Sequence, residues 1–398
     1  MIATPPPMSR AGLYVHIPFC VAKCHYCDFS SFAGTRHLYE PYLGALLKQI
    51  ARAGTDWSGP TFDTLYVGGG TPTVLASEQL SHIVEACFRH LGLAAGAEIT
   101  CEANPGTVST RSLVELKHAG FQRLSLGVQS LDVEVLGTLG RIHDREAVFE
   151  ACAAARAAGF QNINLDLIYG VPMQTLTIWR RTLEEALALV PEHLSLYALT
   201  LEPGTPMDAS VRCGQLPEPD DDLVADMYAL ARELLAAHGY AQYEVSNWAR
   251  VSRGDAADRE PSLASRHNLH YWHNERYLGL GAAAHSFDGR RRYARCVDPA
   301  EFIRRVSTGE DTVEMSEPIG RNLEMDETMM LGLRLMQGVT WQGFEARFGV
   351  DLREVYSQAI ERLRDTGLVI MDESGIRLAP TAYLVGNRVF AEFLRSTA

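Results

Sequence analysis

Three cysteines spaced C-x₃-C-x₂-C, Cys20, Cys24 and Cys27, follow the short apolar run Tyr14 to Ile17, and this cluster constrains the chain more than any other stretch. Thiolates that are to converge on one point need a loop at the end of a rigid strand. A [4Fe–4S] cube needs four ligands and ferredoxin-type sites supply four thiolates, so three cysteines leave one iron open as a binding site. A disulfide is disfavoured, because an odd cluster in a chain with no export signal does not pair up. A structural zinc site wants four ligands, and His16 or His25 could complete one, so spacing alone leaves that alternative standing.

At 398 residues with 46% apolar content, the chain is long enough for one large domain and a smaller one. A formal net charge of −13 argues against a general binder of nucleic acid or anionic membrane, which presents a basic face. Residues 1–10 carry Pro5-Pro6-Pro7 and no apolar run of signal type, which predicts a disordered tail. No stretch approaches the roughly 20 apolar residues of a membrane span, and the expected compartment is the cytoplasm. Cys87, Cys101, Cys152, Cys213 and Cys296 lack ligand spacing and are expected to be buried or inert thiols.

From residue 11, short β-branched or apolar runs alternate with longer helical patterns, the sequence form of a parallel α/β sheet. The pattern predicts strands at 13–16, 64–67, 98–102, 123–127, 162–167 and 193–199. Six such units make an incomplete, TIM-like (β/α)6 barrel over 11–310. The helices between them carry apolar stripes, such as Leu43, Leu47 and Ile50, or Trp179, Leu183, Leu187 and Val190 before Pro191. These stripes are core. Polar and glycine punctuation gathers just after the strands: Gly68-Gly69-Gly70-Thr71-Pro72, Glu102-Ala103-Asn104-Pro105, Gly127-Val128-Gln129-Ser130, and Asp166. Strand C-terminal ends share one face of a parallel barrel, so all four should surround the cysteine loop. The triple glycine is no P-loop, for it lacks the lysine of G-x₄-G-K-[ST]. Glu102 and Asp166 on buried strands would be costly without partners.

The cysteine motif, with the aromatic Tyr26 before its last member, resembles the radical S-adenosylmethionine (SAM) superfamily. More narrowly, Tyr14 to Phe19, Gly68 to Thr73, Gly127-Val128-Gln129, Gly140-Arg141-Ile142-His143 and Asp166 to Pro172 resemble the anaerobic coproporphyrinogen III oxidase group. The resemblance implies a radical SAM barrel with a [4Fe–4S] cluster on Cys20, Cys24 and Cys27, whose open iron chelates the amino and carboxylate groups of SAM. It implies that the backbone at Gly69, Gly70 and Thr71 meets the methionyl amino group. Tyr14, Tyr26, Glu102, Gln129, Arg141, Asp166 and Ala198 would line the rest of the SAM site. Charge complementarity sets Arg141 against the carboxylate and Asp166 against the ribose.

Oxidases of this group extend the motif to C-x₃-C-x₂-C-x-C, whereas Phe29 stands at the last position here. His267-Asn268-Leu269-His270-Tyr271-Trp272 matches H-N-x-x-Y-W and, with Tyr277 to Ser286, resembles the HemW-type haem chaperones, paralogues of the oxidase. That likeness implies haem as cargo for acceptor haemoproteins, an electron donor for the cluster, and at most peripheral contact with membrane haemoproteins. Haem is expected at His267, Asn268, Tyr271 and Trp272. His267 is the first choice of axial ligand, with His270, His273 and His285 as alternatives, since imidazole suits haem iron and the aromatic pair would wall the macrocycle. In the alternative reading, a radical SAM oxidative decarboxylase acting on coproporphyrinogen III, His16 would be a proton donor.

After residue 310 the βα rhythm stops. Helical patterns at 324–337, 341–348 and 352–366, a hairpin over 368–378 and a last helix from Pro380 predict a small winged-helix-like unit within 311–398. From 324 to 398 there are eight basic and eleven acidic residues, a balance that repels phosphate, so no nucleic-acid partner is expected. The resemblance implies instead a helical cover for the barrel.

Overall fold

The computed structural model describes residues 10–57, 60–256 and 260–395. Six parallel strands in sequence order form its spine: β1 (Arg10–Ile17), β2 (Thr61–Gly69), β3 (Leu93–Ala103), β4 (Arg123–Gln129), β5 (Asn162–Tyr169) and β6 (His193–Ala198). The crossovers carry α1 (Tyr39–Asp56), α2 (Ser77–Leu91), α3 (Thr110–His118), α4 (Arg145–Ala157) and α5 (Leu176–Ala188). Helix starts follow from caps: Asp144 accepts from Ala147 N and Thr175 from Ile178 N. In β1 the pleat sends Leu13, Val15 and Ile17 into the same core as Leu46 and Ile50 of α1. Tyr14 has the opposite parity and stacks on Tyr66 of β2.

All six expected strands are present. Five run longer than expected, and the sixth ends one residue short, at Ala198. Val190 is not part of the α5 stripe; it lies beyond the helix end with φ +50° and is exposed. The sheet is also wider than six strands. Beyond β6 lie β7 (Tyr240–Glu244) and β8 (Asn247–Arg250), with β8 antiparallel to β6 and β7 outside it. At the other edge β9 (Tyr277–Leu280) runs parallel to β1, followed by antiparallel β10 (His285–Phe287), β11 (Arg291–Arg295) and β12 (Val313–Pro318). The twelve strands form one sheet.

The break expected after residue 310 therefore moves, because β12 pairs with β11 in the large sheet. A separate apolar cluster starts at Met325 and Met329 of the helix Arg321–Gly332 and ends at Phe390 and Phe393. It packs the helices Trp341–Phe348, Leu352–Val355 and Ser357–Asp365 against three short strands ordered Val339–Thr340, Gly375–Leu378, Val369–Met371. The helix expected over 352–366 is broken at Tyr356, whose hydroxyl donates to the buried Asp326 carboxylate (2.6 Å). The tail expected at 1–10 lies outside the described residues except for Arg10, which opens β1. Of the scattered cysteines, Cys213 is exposed and the other four are buried. Among the described residues no helix is long and apolar enough to cross a membrane.

Candidate functional site

The cysteine loop leaves β1 through Pro18 and lies over the C-terminal strand ends. Backbone bonds hold it there: Phe32 N donates to Pro18 O (2.7 Å), His25 N to Leu139 O (3.0 Å) and Thr71 N to Phe19 O (2.7 Å). Each sulfur also has a polar neighbour. Thr71 Oγ1 donates to Cys20 Sγ (3.6 Å), Arg141 Nη1 donates to Cys24 Sγ (3.2 Å), and Ser31 Oγ lies 3.9 Å from Cys27 Sγ. Among the described residues no three His, Cys, Asp or Glu side chains are gathered tightly enough to hold one metal ion. All three cysteines nevertheless line one cavity.

Beneath the loop is a cavity of about 380 Å³, within the range of small-ligand sites. Its lining brings together the three cysteines with Tyr26, Gly69, Gly70, Thr71, Glu102, Gln129, Arg141, Asp166 and Ala198, as expected from sequence. Gly69 has φ +114°, and a Cβ there would sit 2.5 Å from the His16 ring; one on Gly70 would sit 2.6 Å from Phe19 O. The glycines thus let β2 approach β1 and the cysteine loop, whatever else binds. The N–H groups of Gly69, Gly70 and Thr71 are given to Glu102 Oε2, Ile17 O and Phe19 O. An ammonium ligand donates and so would use carbonyl oxygens, for which these bonds do not compete.

Of the four acidic residues that line the cavity, Asp28, Glu102, Asp166 and Glu202, two stand on the strands, Glu102 on β3 and Asp166 on β5. Glu102 accepts from Tyr66 OH (2.8 Å) as well as from Gly69 N (3.0 Å). Burial lifts its pKa to about 7, against those two hydrogen bonds, and the neighbouring Asp166 adds to the rise. Asp166 accepts from Asn164 Nδ2 (2.8 Å) and Ser125 Oγ (3.0 Å), and burial raises its pKa as well. Gln129 takes φ +65° at a register shift in the β4–β5 pairing, which re-aims it into the cavity.

Some placements differ from expectation. Tyr14 does not line the cavity; its hydroxyl donates to His16 Nδ1 (2.9 Å). His16 is turned away as well, with Nε2 donating to Ser30 O (2.9 Å), so it braces the cysteine loop and offers no proton to the cavity. Arg141 reaches the cavity, but its guanidinium is spent on Cys24 Sγ, Asn104 Oδ1 (2.5 Å) and Gly127 O (2.7 Å), with Nε buried and unpartnered. Asn104 and Gly127 line the cavity from the strand-end segments expected there, and Tyr66 and Ser125 line it without having been expected. Strand alternation could have found both, since Tyr66 shares a face with Gly68 and Ser125 with Gly127. Replacing Arg141 by Leu is expected to cost about 1–3 kcal/mol of stability, because it leaves Asn104 Oδ1 and Gly127 O without their donor. Chemical denaturation checks this, and an unchanged midpoint would show that these acceptors find other donors.

The H-N-x-x-Y-W segment forms a short helix, α6 (Arg266–Trp272), capped by Ser265. His267 is 1% exposed; Nδ1 bonds to Thr64 Oγ1 (2.8 Å), Nε2 to Tyr271 OH (2.9 Å), and its ring stacks on Tyr66 at 5.2 Å. Neither nitrogen is available to iron, so the first choice of axial ligand is corrected. Asn268 serves the cap through its backbone N–H. His270 lies between Asp63 and Glu275; burial opposes its charge, but the two carboxylates prevail and push its pKa up to about 9. Trp272 turns to the C-terminal unit, where the Arg334 guanidinium sits 4.4 Å from its ring. His267→Ala is therefore expected to cost about 2–3 kcal/mol of stability, by leaving a core void and two unpaired hydroxyls. Chemical denaturation measures it.

Residues 14–186 match the radical SAM superfamily and residues 321–385 the HemN C-terminal domain, which begins with the helix Arg321–Gly332. The heme chaperone HemW of Bacillus subtilis is 35% identical over 382 residues, 96% of this chain and 98% of that protein. HemW of Escherichia coli is 40% identical over 283 residues, 70% of each chain. The solved structure of coproporphyrinogen III oxidase (HemN) from Escherichia coli, a radical SAM enzyme, matches with a TM-score of 0.82 at 26% identity, over 98% of this chain and 91% of that one.

Proposed function

Since the chain belongs to the HemW family of radical SAM proteins, we propose that it binds haem and passes it to acceptor haemoproteins, holding a [4Fe–4S] cluster on Cys20, Cys24 and Cys27 and SAM in the barrel cavity. A contrast of likeness carries the reading. A haem chaperone aligns over almost the full length at 35% identity, whereas the oxidase shares the fold at 26%. Phe29 adds to it, being an exposed aromatic on the cavity rim where the resemblance puts the fourth cysteine of the oxidases.

When bound, the cluster and SAM supply one-electron chemistry at the open iron. The chain's own residues do the rest. Thr71, Arg141 and Ser31 hydrogen-bond the sulfurs and so tune the cluster's potential. Glu102 and Asp166 offer negative charge to a cationic sulfonium ligand. We place the protein in the cytoplasm, served by an external electron donor and meeting membrane haemoproteins only at their surface.

The oxidase reading is favoured by one observation, the TM-score of 0.82 to HemN. Against it, both nitrogens of His16 are engaged and the side chain is outside the cavity. Anaerobic incubation of the reconstituted protein with SAM, a reductant and coproporphyrinogen III should give no vinyl-bearing product, while hemin-loaded protein should transfer haem to an apo-cytochrome b. Vinyl product without transfer would overturn the proposal.

A further inference from the structure

With both ring nitrogens of His267 and of His270 engaged, an imidazole nitrogen open to iron lies just beyond the motif. His273 closes the C-terminal end of α6. Its side chain is 41% exposed, and its Nε2 is held by Glu260 at 3.1 Å. Its other ring nitrogen bonds to nothing among the described residues. A histidine held by a carboxylate at one nitrogen, with the second left over, is the arrangement from which metal-bound imidazoles are built.

His273 opens on a cleft of about 210 Å³ between α6 and the C-terminal unit. Trp272 lines it from the α6 side, and Leu335, Val339 and Phe344 line it from the other, an apolar and aromatic setting for a flat ligand. Arg347 stands at the same cleft, bridging Glu324 to the carbonyls of His273 and Asn274. Trp272 Nε1 is buried there without a partner.

We propose that this cleft is the haem site, with His273 as the axial ligand and the macrocycle edge against Trp272 and Phe344. The proposal rests on the carrier reading and gives it a place. Sites that enclose a small molecule run to about 300–1,000 Å³, so this cleft covers only part of a tetrapyrrole, which suits a ligand that has to leave. The other candidates fit less well. His143 lines neighbouring cavities, but its Nε2 donates to Val128 O and its Nδ1 is buried. His285 is exposed and lines none of the described cavities.

The test is a hemin difference titration of the anaerobically reconstituted full chain. Wild type, His273→Ala and Gln337→Trp are compared, the last filling the cleft from an exposed position. His273→Ala should move the Soret band and weaken binding at least tenfold, added imidazole should restore the band, and Gln337→Trp should weaken binding with the band position kept. Wild-type spectra and affinity in both variants would overturn the cleft while leaving the carrier reading intact. A wild type that leaves the hemin spectrum unchanged would overturn the carrier reading, and the cleft with it.

Discussion

Alanine in place of Cys20, Cys24 or Cys27 is expected to abolish the iron–sulfur cluster. After anaerobic reconstitution each variant should keep less than about a tenth of the wild-type iron and sulfide, because each thiolate is the only protein ligand to its iron. The core thiols of Cys87 and Cys101 cannot substitute. Cys101 and Cys87 are fully buried, and burial pushes both thiols far from ionisation. The fold should survive the change, since the loop is tied by Pro18 O, Phe19 O and Leu139 O through backbone bonds that no cysteine side chain makes. Far-ultraviolet circular dichroism of the metal-free proteins should therefore coincide with wild type. Iron and sulfide at wild-type levels in the triple alanine variant would dismiss the cluster assignment and leave the cavity without its redox centre.

The cavity was legible from sequence because its parts are local. Each is a short punctuated segment at a strand end, and parallel strands bring such ends to one face. What could not be read was the partner of each side chain. Arg141 looks like a carboxylate clamp from its charge, but its guanidinium meets Cys24, Asn104 and Gly127 from three other segments. His267 looks like a ligand because it sits in a motif; its burial against Thr64, Tyr66 and Tyr271 depends on β2, two hundred residues earlier, and on the turn of one short helix. Extra strands were hidden for a different reason. β11 reads Arg-Arg-Tyr-Ala-Arg, with Arg292 paired to Glu327 and Arg295 bonded to Gly279 O, so ion pairs and carbonyls stand where an apolar alternation would have marked a strand. β12 is an edge with almost every residue exposed.

Binding of SAM is expected to weaken by about 30-fold between pH 8 and pH 5.5, through Glu102. With its pKa lifted to about 7 by burial and by Asp166, this carboxyl holds a proton over much of that range in the ligand-free protein. A cationic ligand prefers it ionised, so binding below pH 7 has to expel the proton, and affinity falls by close to tenfold for each further pH unit. The sign for stability is the reverse of the usual carboxylate. A folded-state pKa above the unfolded value gives stability that is complete below about pH 4.3 and lost as pH rises through 7, so the ligand-free protein should soften toward alkaline pH and SAM should restore it. Glu102→Gln keeps an acceptor for Tyr66 and carries no proton to expel. Its affinity should be flat with pH, near the wild-type value at pH 5.5. Calorimetry at pH 6 in two buffers of different ionisation enthalpy should count nearly one proton released by wild type and none by the variant. Equal wild-type affinities at pH 5.5 and 8, or no proton released, would place the ligand's positive charge away from Glu102.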